Sequence, residues 1–464
     1  MAGRGRSGAG VTGGVCHAPV SRRAAVPRRP SAGDRQPAGV GPAGVGRPAT
    51  GPGRWRVPYH GARMRALRAI FLLNGAALGV FYPFIAVILD DLGASPEQIG
   101  LVTAASSAAF SVAVPLWGHV ADVILGRRRA LAVSALGAGI FVLLAGAPVP
   151  LVLVALGLVG FSLFESAWGP LGDALAVNAI TDHGRQYGRV RLLSSVGFAV
   201  VATSAGFVYN VTGYGPAFVL CALLAGLLAL AALYAPDVDR ADLAAVGGPS
   251  TRGGSFVVAL RIQPRLLPVL LAILLVHVGI IAGFTYLPLR LLELGGGPSD
   301  VALLAGVSAF AEIPAMLVVG AIAARIGIRG LVAGSIFLYA ACFASWIVLE
   351  SPILIVATRV ATGFAFAGLW VGSVLTMAVL LPPRLQATGQ GLYQLTGFGL
   401  AAVIANVGGG LLFGAFGSAI VFAIATVLGV LAGILALAVF PSTGEQVARE
   451  EDFERPVPFP ATPA

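Results

Sequence analysis

The sequence predicts an all-α membrane protein of twelve transmembrane helices in two pseudo-symmetric six-helix bundles. Three observations predict it: an apolar composition that no water-facing surface could use, twelve apolar runs long enough to span a bilayer, and an echo of the first half of the chain in the second. Of 464 residues, 57% are hydrophobic and only 11% are charged, so the solvent for most of the surface is lipid.

The net charge of +10 would suit a nucleic-acid binder if it were spread over a fold, but it is not. Up to Arg63 the chain holds eleven arginines against one acid, Asp34, and from Met64 onward nineteen arginines meet nineteen acids. The basic stretch lacks interleaved aromatics and any recognisable fold, so no nucleic-acid partner is expected. Residues 1–63 are rich in Gly, Pro, Ala and Arg without apolar periodicity, which predicts a disordered basic extension. Met64, followed by Arg65, Arg68 and an apolar run, resembles a natural start, and the stretch before it then reads as a mis-assigned start. A transit peptide is the other reading, although amphipathic spacing is missing.

A bilayer core about 30 Å thick needs roughly 20 apolar residues per helix. Six such runs fall at about Leu67 to Leu89, Ile99 to Val120, Ala130 to Ala147, Leu151 to Ala176, Gly188 to Tyr209 and Ala217 to Ala235. Six more fall at about Leu266 to Leu289, Val301 to Ala323, Leu331 to Leu349, Ile353 to Ala378, Gly391 to Phe413 and Ala419 to Phe440. Even-numbered connections carry Arg127 to Arg129, Arg185, Arg189, Arg191, Arg240, Arg252, Arg261, Arg265, Arg325, Arg329 and Arg384. Odd-numbered ones carry mainly Asp90, Asp91, Glu97, Glu293, Asp300 and Glu350, with Arg290 as the exception. Basic loops are retained in the cytoplasm, which predicts a multi-pass protein of the cell (inner or plasma) membrane with both termini cytoplasmic.

These features divide the chain into a bundle over 64–236, a cytoplasmic linker over 237–265, a second bundle over 266–440 and a cytoplasmic tail over 441–464. Gly247, Gly248, Pro249, Gly253 and Gly254 mark the linker as flexible. Gly118 and Asp122 with the arginines after run two recur, about 200 residues on, as Gly320, Arg325, Gly327 and Arg329 after run eight. Gly197-Phe198 recurs as Gly397-Phe398. Duplicated halves of this kind place a binding site near the midplane between them, reached by alternating access.

Charged side chains at membrane depth cost about 2.5 to 3.5 kcal/mol on insertion scales and usually face a wet cavity or a partner. At 1.5 Å per residue, Glu165 and Glu312 lie roughly halfway through the bilayer and Arg359 in its outer third. A cavity shared by all three would suit proton coupling, whereas a static pair such as Glu312 with Arg359 would only lock the halves together. His277 could relay a proton or simply hydrogen-bond within its helix. Tyr82, Trp168, Tyr286, Trp370, Tyr393, Gln394 and Asn406 supply the texture of a site for small amphiphilic solutes. Pro83, Pro115, Pro170 and Pro314 mark places where helices can bend.

The loop Gly118-His-Val-Ala-Asp122-Val-Ile-Leu-Gly126-Arg127-Arg128-Arg129 resembles the loop signature of the major facilitator superfamily. It departs from that signature in carrying Val123 in a basic slot and one residue inserted before Gly126. The resemblance covers essentially Met64 to Phe440 and implies the fold of that superfamily, with Gly118, Asp122, Gly126, Arg127 and Arg128 as a conformational latch. Three further stretches resemble the branch of lactose permease, 3-phenylpropionate transporter and nucleoside-proton symporters. They are Gly79-Val-Phe81-Tyr82-Pro83-Phe84, then Tyr187-Gly188-Arg189-Val-Arg191 through Gly197-Phe198, then Arg384 through Tyr393 together with Ala311-Glu312-Ile313-Pro314.

That resemblance implies substrate contacts from Asp173 and Arg191, with Phe198 where the permease stacks a tryptophan on galactose. It implies that Glu312 links binding to proton transfer. The permease's helix-10 histidine and glutamate have no counterparts, the region reading Arg359-Val-Ala-Thr362-Gly-Phe364, so its coupling route does not carry over.

The sequence thus predicts a secondary-active transporter, proton-coupled for symport of a small organic solute of oligosaccharide, nucleoside or aromatic-acid type. Glu312 is the leading coupling carboxylate and Glu165 its rival. The substrate-binding residues expected are Tyr82, Asp173, Arg191, Phe198, Trp370 and Tyr393, and those for coupling are Glu312, Glu165, Arg359 and His277. Proton-driven efflux of lipophilic drugs and a transport-dead scaffold are the alternatives. No P-loop, Gly-x-Ser-x-Gly elbow or His-Glu-x-x-His occurs, and Cys16, Cys221 and Cys342 share no loop. The expectation is therefore a monomer that is not an enzyme and has no cofactor, metal site or disulfide.

Overall fold

A computed structural model describes residues 62–179, 185–235, 256–382 and 385–442. The expected disordered extension, the loop 180–184, most of the linker and most of the C-terminal tail lie outside the described residues.

Among the described residues, eleven helices are long and apolar enough to cross a membrane. One of them, Pro298–Val348, runs for 51 residues and breaks at Gly327, where φ is 73° and ψ 167°, so it makes two passes and the spans number twelve. In chain order, α1 is Met64–Asp91, α2 Pro96–Leu125, α3 Arg127–Ala145, α4 Leu151–Ala176, α5 Arg189–Thr212 and α6 Gly215–Tyr234. Then come α7 Leu266–Glu293, α8 298–326, α9 328–348, α10 Pro352–Leu380, α11 Thr388–Phe416 and α12 Ser418–Val439. Each expected apolar run corresponds to one helix. Large apolar side chains such as Val152, Leu156, Leu223 and Val427 stand more than half exposed. In water they would be a liability, and in lipid they are the proper outer surface.

The pseudo-repeat is visible in the backbone. Gly126 follows α2 with φ 82° and ψ 152°, and Gly327 follows α8 in nearly the same conformation. This region is open almost only to glycine, so the two glycines turn the chain from one pass into the next at equivalent points. The residue inserted before Gly126 is absorbed as a single π-helical turn over Val120–Leu125, the usual way a helix takes in one extra residue.

Two prolines shape the first bundle. Pro83 sits in a 3-10 turn, Tyr82–Phe84, that interrupts α1. Pro170 cannot donate to the carbonyl four residues back, and α4 breaks there between Glu165 and Trp168. The backbone groups freed at such breaks must be satisfied inside the protein. At the α4 break Ala167 N–H turns to Phe164 O. The Leu163 carbonyl instead accepts Trp117 Nε1 at 2.8 Å and Ser166 Oγ at 2.9 Å. Beside the α1 break, Val80 O accepts the Tyr209 hydroxyl at 3.0 Å. Pro115 and Pro314 lie within helices that continue.

The stretch expected as linker ends in a short helix, Phe256–Ile262, with Ala259 buried. Ala259 and Leu260 pack into the core of the second bundle, and Phe256 stands 3.6 Å from the position of a Cβ on Gly391, so this part of the connection is not free chain.

The bundles meet most closely at their arginine-poor ends. An added Cβ at Gly100 of α2 would land on the Asn406 carbonyl of α11, and one at Gly410 would meet Pro96 O at 2.6 Å. Ser299 N–H of α8 donates to Asn210 Oδ1 of α5 at 3.2 Å. At the arginine-rich ends, by contrast, Gly118 of α2 and Gly320 of α8 have nothing within 4 Å of where a Cβ would stand.

Replacing Gly327 by Ala should strain the turn at a cost of about 1 to 3 kcal/mol and lower the melting temperature of the purified protein. Gly320→Ala, with helical backbone and open space, should leave it unchanged, and equal melting of the two variants would refute the assigned turn.

Candidate functional site

The two helix breaks of the first bundle face each other, and a side chain from each closes the gap. The Tyr82 hydroxyl, from the α1 turn, donates to Glu165 Oε2, at the end of the first segment of α4, at 3.3 Å. Glu165 is buried at 6% exposure, and no cationic group lies within ion-pairing distance of it among the described residues.

Beside this pair a cavity of about 420 Å³ lies between the bundles. One wall comes from α1, α2, α4 and α5, including Tyr82, Ser107, Phe161 and Phe198; the other comes from α7, α8, α10 and α11, including Phe284, Arg359, Phe398 and Asn406. It belongs to neither bundle alone, as expected of a site on a pseudo-twofold axis.

Arg359 enters from α10 at 5% exposure. Its Nε donates to Leu304 O at 3.0 Å, and its guanidinium lies 5.5 Å from the Phe284 ring centre and 5.9 Å from that of Trp346. Among the described residues no carboxylate pairs with it, so the static Glu312–Arg359 pair weighed from the sequence is not formed. The aromatic and backbone contacts replace an anion as its anchor.

The remaining expected residues sit around this centre. Phe198 lines the cavity, whereas neither Glu165 nor Glu312 does; Glu312 lies further along α8 and is half-buried. Asp173 and Arg191 form an ion pair between α4 and α5, with Nη1 at 2.9 and 2.7 Å from the two carboxylate oxygens. Neither of them lines the cavity.

His277 is fully buried, its Nδ1 2.8 Å from Ile273 O. Its ring meets Phe398 and Tyr393 edge-on at 5.1 and 5.7 Å, and Trp370 packs on the same two rings. Tyr393 is buried behind Phe398, so Tyr393, Trp370 and His277 support the cavity wall from behind. Where α2 gives way to α3, Asp122 pairs with Arg127 at 3.5 Å. Gly126 makes the turn, and Gly118 and Arg128 flank it.

Sequence reasoning did not single out the hydroxyl row Thr103, Ser107 and Ser111 of α2 or Phe284 and Thr285 of α7. The first had a readable signal, since hydroxyls four residues apart lie on one helix face. Phe284 and Thr285 are ordinary residues in an apolar run and carried none. No cluster of metal-ligating side chains occurs among the described residues.

The sequence model of the MFS_1 like family matches residues 64–424. The chain belongs to this family. It is a multi-pass membrane transporter of the major facilitator type, similar over 382 residues, at 29% identity, to a maltose permease of Geobacillus stearothermophilus. That match covers 81% of this chain and 94% of the permease. A probable 3-phenylpropionic acid transporter of Escherichia coli (strain K12) is 30% identical over 164 residues, 35% of this chain and 42% of its own. Among solved structures, a variant of the nucleoside transporter NupG superposes with a TM-score of 0.72 at 18% identity, covering 81% of this chain and 99% of its own. A D-xylose-proton symporter does so at 0.62 and 15%, covering 82% and 98%. At such identities the structural likeness establishes the fold.

A cysteine placed at Ser107 in a chain freed of native cysteines should react with a membrane-impermeant thiol reagent from the arginine-rich face and far more slowly from the other. Equal reaction from both faces would contradict the packing at the arginine-poor end.

Proposed function

We propose that the chain is a secondary-active carrier that moves a small organic solute together with protons by alternating access. Its arginine-rich connections and both termini then lie in the cytoplasm, and it works as a monomer. The observation that carries this reading is the Tyr82–Glu165 pair, a carboxyl group buried beside the inter-bundle cavity and held by a single hydroxyl. A carboxyl group so placed exchanges its proton with whichever side the cavity opens to. A charge stranded there without water or partner would be costly, so protonation and opening are coupled.

Glu165 serves as the coupling carboxylate. Glu312, the other candidate, acts on the arginine-rich side through Arg191, and the Asp173–Arg191 pair ties α4 to α5 when the cavity opens that way. The solute occupies the space between Tyr82, Phe198 and Arg359, and the Asp122–Arg127 loop sets the balance between the two conformations.

In proteoliposomes with an imposed proton gradient, Glu165→Gln should abolish uphill accumulation while leaving solute exchange intact. Glu312→Gln should reduce both modestly. Full accumulation by Glu165→Gln would overturn the assignment, and loss confined to Glu312→Gln would move the role there. The largely apolar lining also supports a second reading, proton-driven export of lipophilic compounds. Dye extrusion from vesicles driven by the same gradient would favour it.

A further inference from the structure

We infer that the solute is a small, largely apolar monocarboxylate, an aromatic acid in shape, whose carboxylate is taken by the guanidinium of Arg359. This rests on the carrier reading above and names its substrate class.

The first ground is the state of Arg359. Its Nε is committed to the Leu304 carbonyl and the rings of Phe284 and Trp346 hold the guanidinium in place. Neither terminal nitrogen meets a protein acceptor among the described residues, and the side chain borders the cavity. Those two nitrogens present parallel N–H groups, an arrangement that matches the two oxygens of a carboxylate. A cation nine-tenths buried at membrane depth without an anion is costly, and a bound carboxylate supplies the missing charge.

The second ground is what the other polar groups of the lining are doing. Thr103 Oγ1 and Ser107 Oγ donate to backbone carbonyls of their own helix at 2.7 and 2.8 Å. Tyr82 donates to Glu165, and Thr285 Oγ1 donates to Asn406 Oδ1 at 2.8 Å. With those donors committed, the lining can hold few hydroxyls of a solute, and a sugar buried there would leave most of its own without partners. Ser106 and Ser162 add two further hydroxyls, and the rest of the lining is apolar, with Phe110, Phe161, Phe198, Phe284 and Phe398 around the space. A flat apolar body fits such walls, and about 420 Å³ suits a molecule of one ring and a short side chain. The maltose permease is similar over most of this chain, yet the lining points to a different solute class.

The test is a thermal-shift and binding series on the purified full-length protein. The probes are phenylacetate, benzoate and 3-phenylpropionate, methyl phenylacetate as an uncharged match, and maltose and uridine as polar alternatives. At least one of the acids should stabilise the protein and bind, while methyl phenylacetate should bind at least about tenfold more weakly. Arg359→Gln should lose that preference for acid over ester, and Arg359→Lys should retain part of it. If Arg359→Gln fails to fold, the comparison of acid with ester on the unaltered protein decides alone.

Binding of maltose or uridine in preference to every acid, or equal binding of acid and ester, would overturn the inference. So would no binding by any probe. The carrier reading is tested separately, by gradient-driven uptake of whichever probe binds: uptake of maltose or uridine would keep the carrier and discard the carboxylate. Binding of an acid with no uptake in either direction would instead discard the carrier.

Discussion

The hydrogen bond between Tyr82 and Glu165 holds together the part of the structure on which the rest depends. It joins two places where helices are deliberately broken, the 3-10 turn at Pro83 and the interruption upstream of Pro170. In a hydrocarbon slab a broken helix exposes backbone groups that lipid cannot satisfy. Trp117 and Ser166 take the carbonyl freed at the second break, and Tyr209 takes one beside the first. The breaks are thus stabilised by neighbouring helices, and between them lies a buried carboxyl group bonded to Tyr82, which lines the cavity.

Across that seam the walls are unlike. The first bundle presents an acid held by a phenol and the second a guanidinium held by a carbonyl and two rings. Neither charge neutralises the other, and an ion pair across the seam would resist its opening. The acid and the base stay apart, each tied within its own half. The packing of α2 on α11 and of α5 on α8 at the arginine-poor ends stands against the open Gly118 and Gly320 at the other.

Much of this was legible in the sequence, and the reasons differ by feature. Twelve spans can be read because lipid imposes length and apolarity on every helix. The duplication can be read because Gly118 and Gly197-Phe198 recur as Gly320 and Gly397-Phe398, and the structure adds Gly126 and Gly327 in a backbone region that few other residues adopt. Pro83 and Pro170 announce the breaks, although the α4 break falls upstream of Pro170, where the missing N–H and the ring make themselves felt. The surroundings of Arg359 are not legible, because its partners are a backbone carbonyl and rings from distant helices. Glu312 carries a stronger sequence signal than Glu165, yet only the folded chain brings Tyr82 to Glu165. The short helix Phe256–Ile262 is hidden by the glycine-rich stretch before it.

In the proposed mechanism Glu165 binds and releases a proton through the cavity. Isotope-edited infrared difference spectroscopy of the protein in lipid measures that directly. A protonated-carboxyl band should respond to pH, vanish in Glu165→Gln and shift in Tyr82→Phe. A Glu165 signal unmoved by pH on either side of the membrane would contradict it.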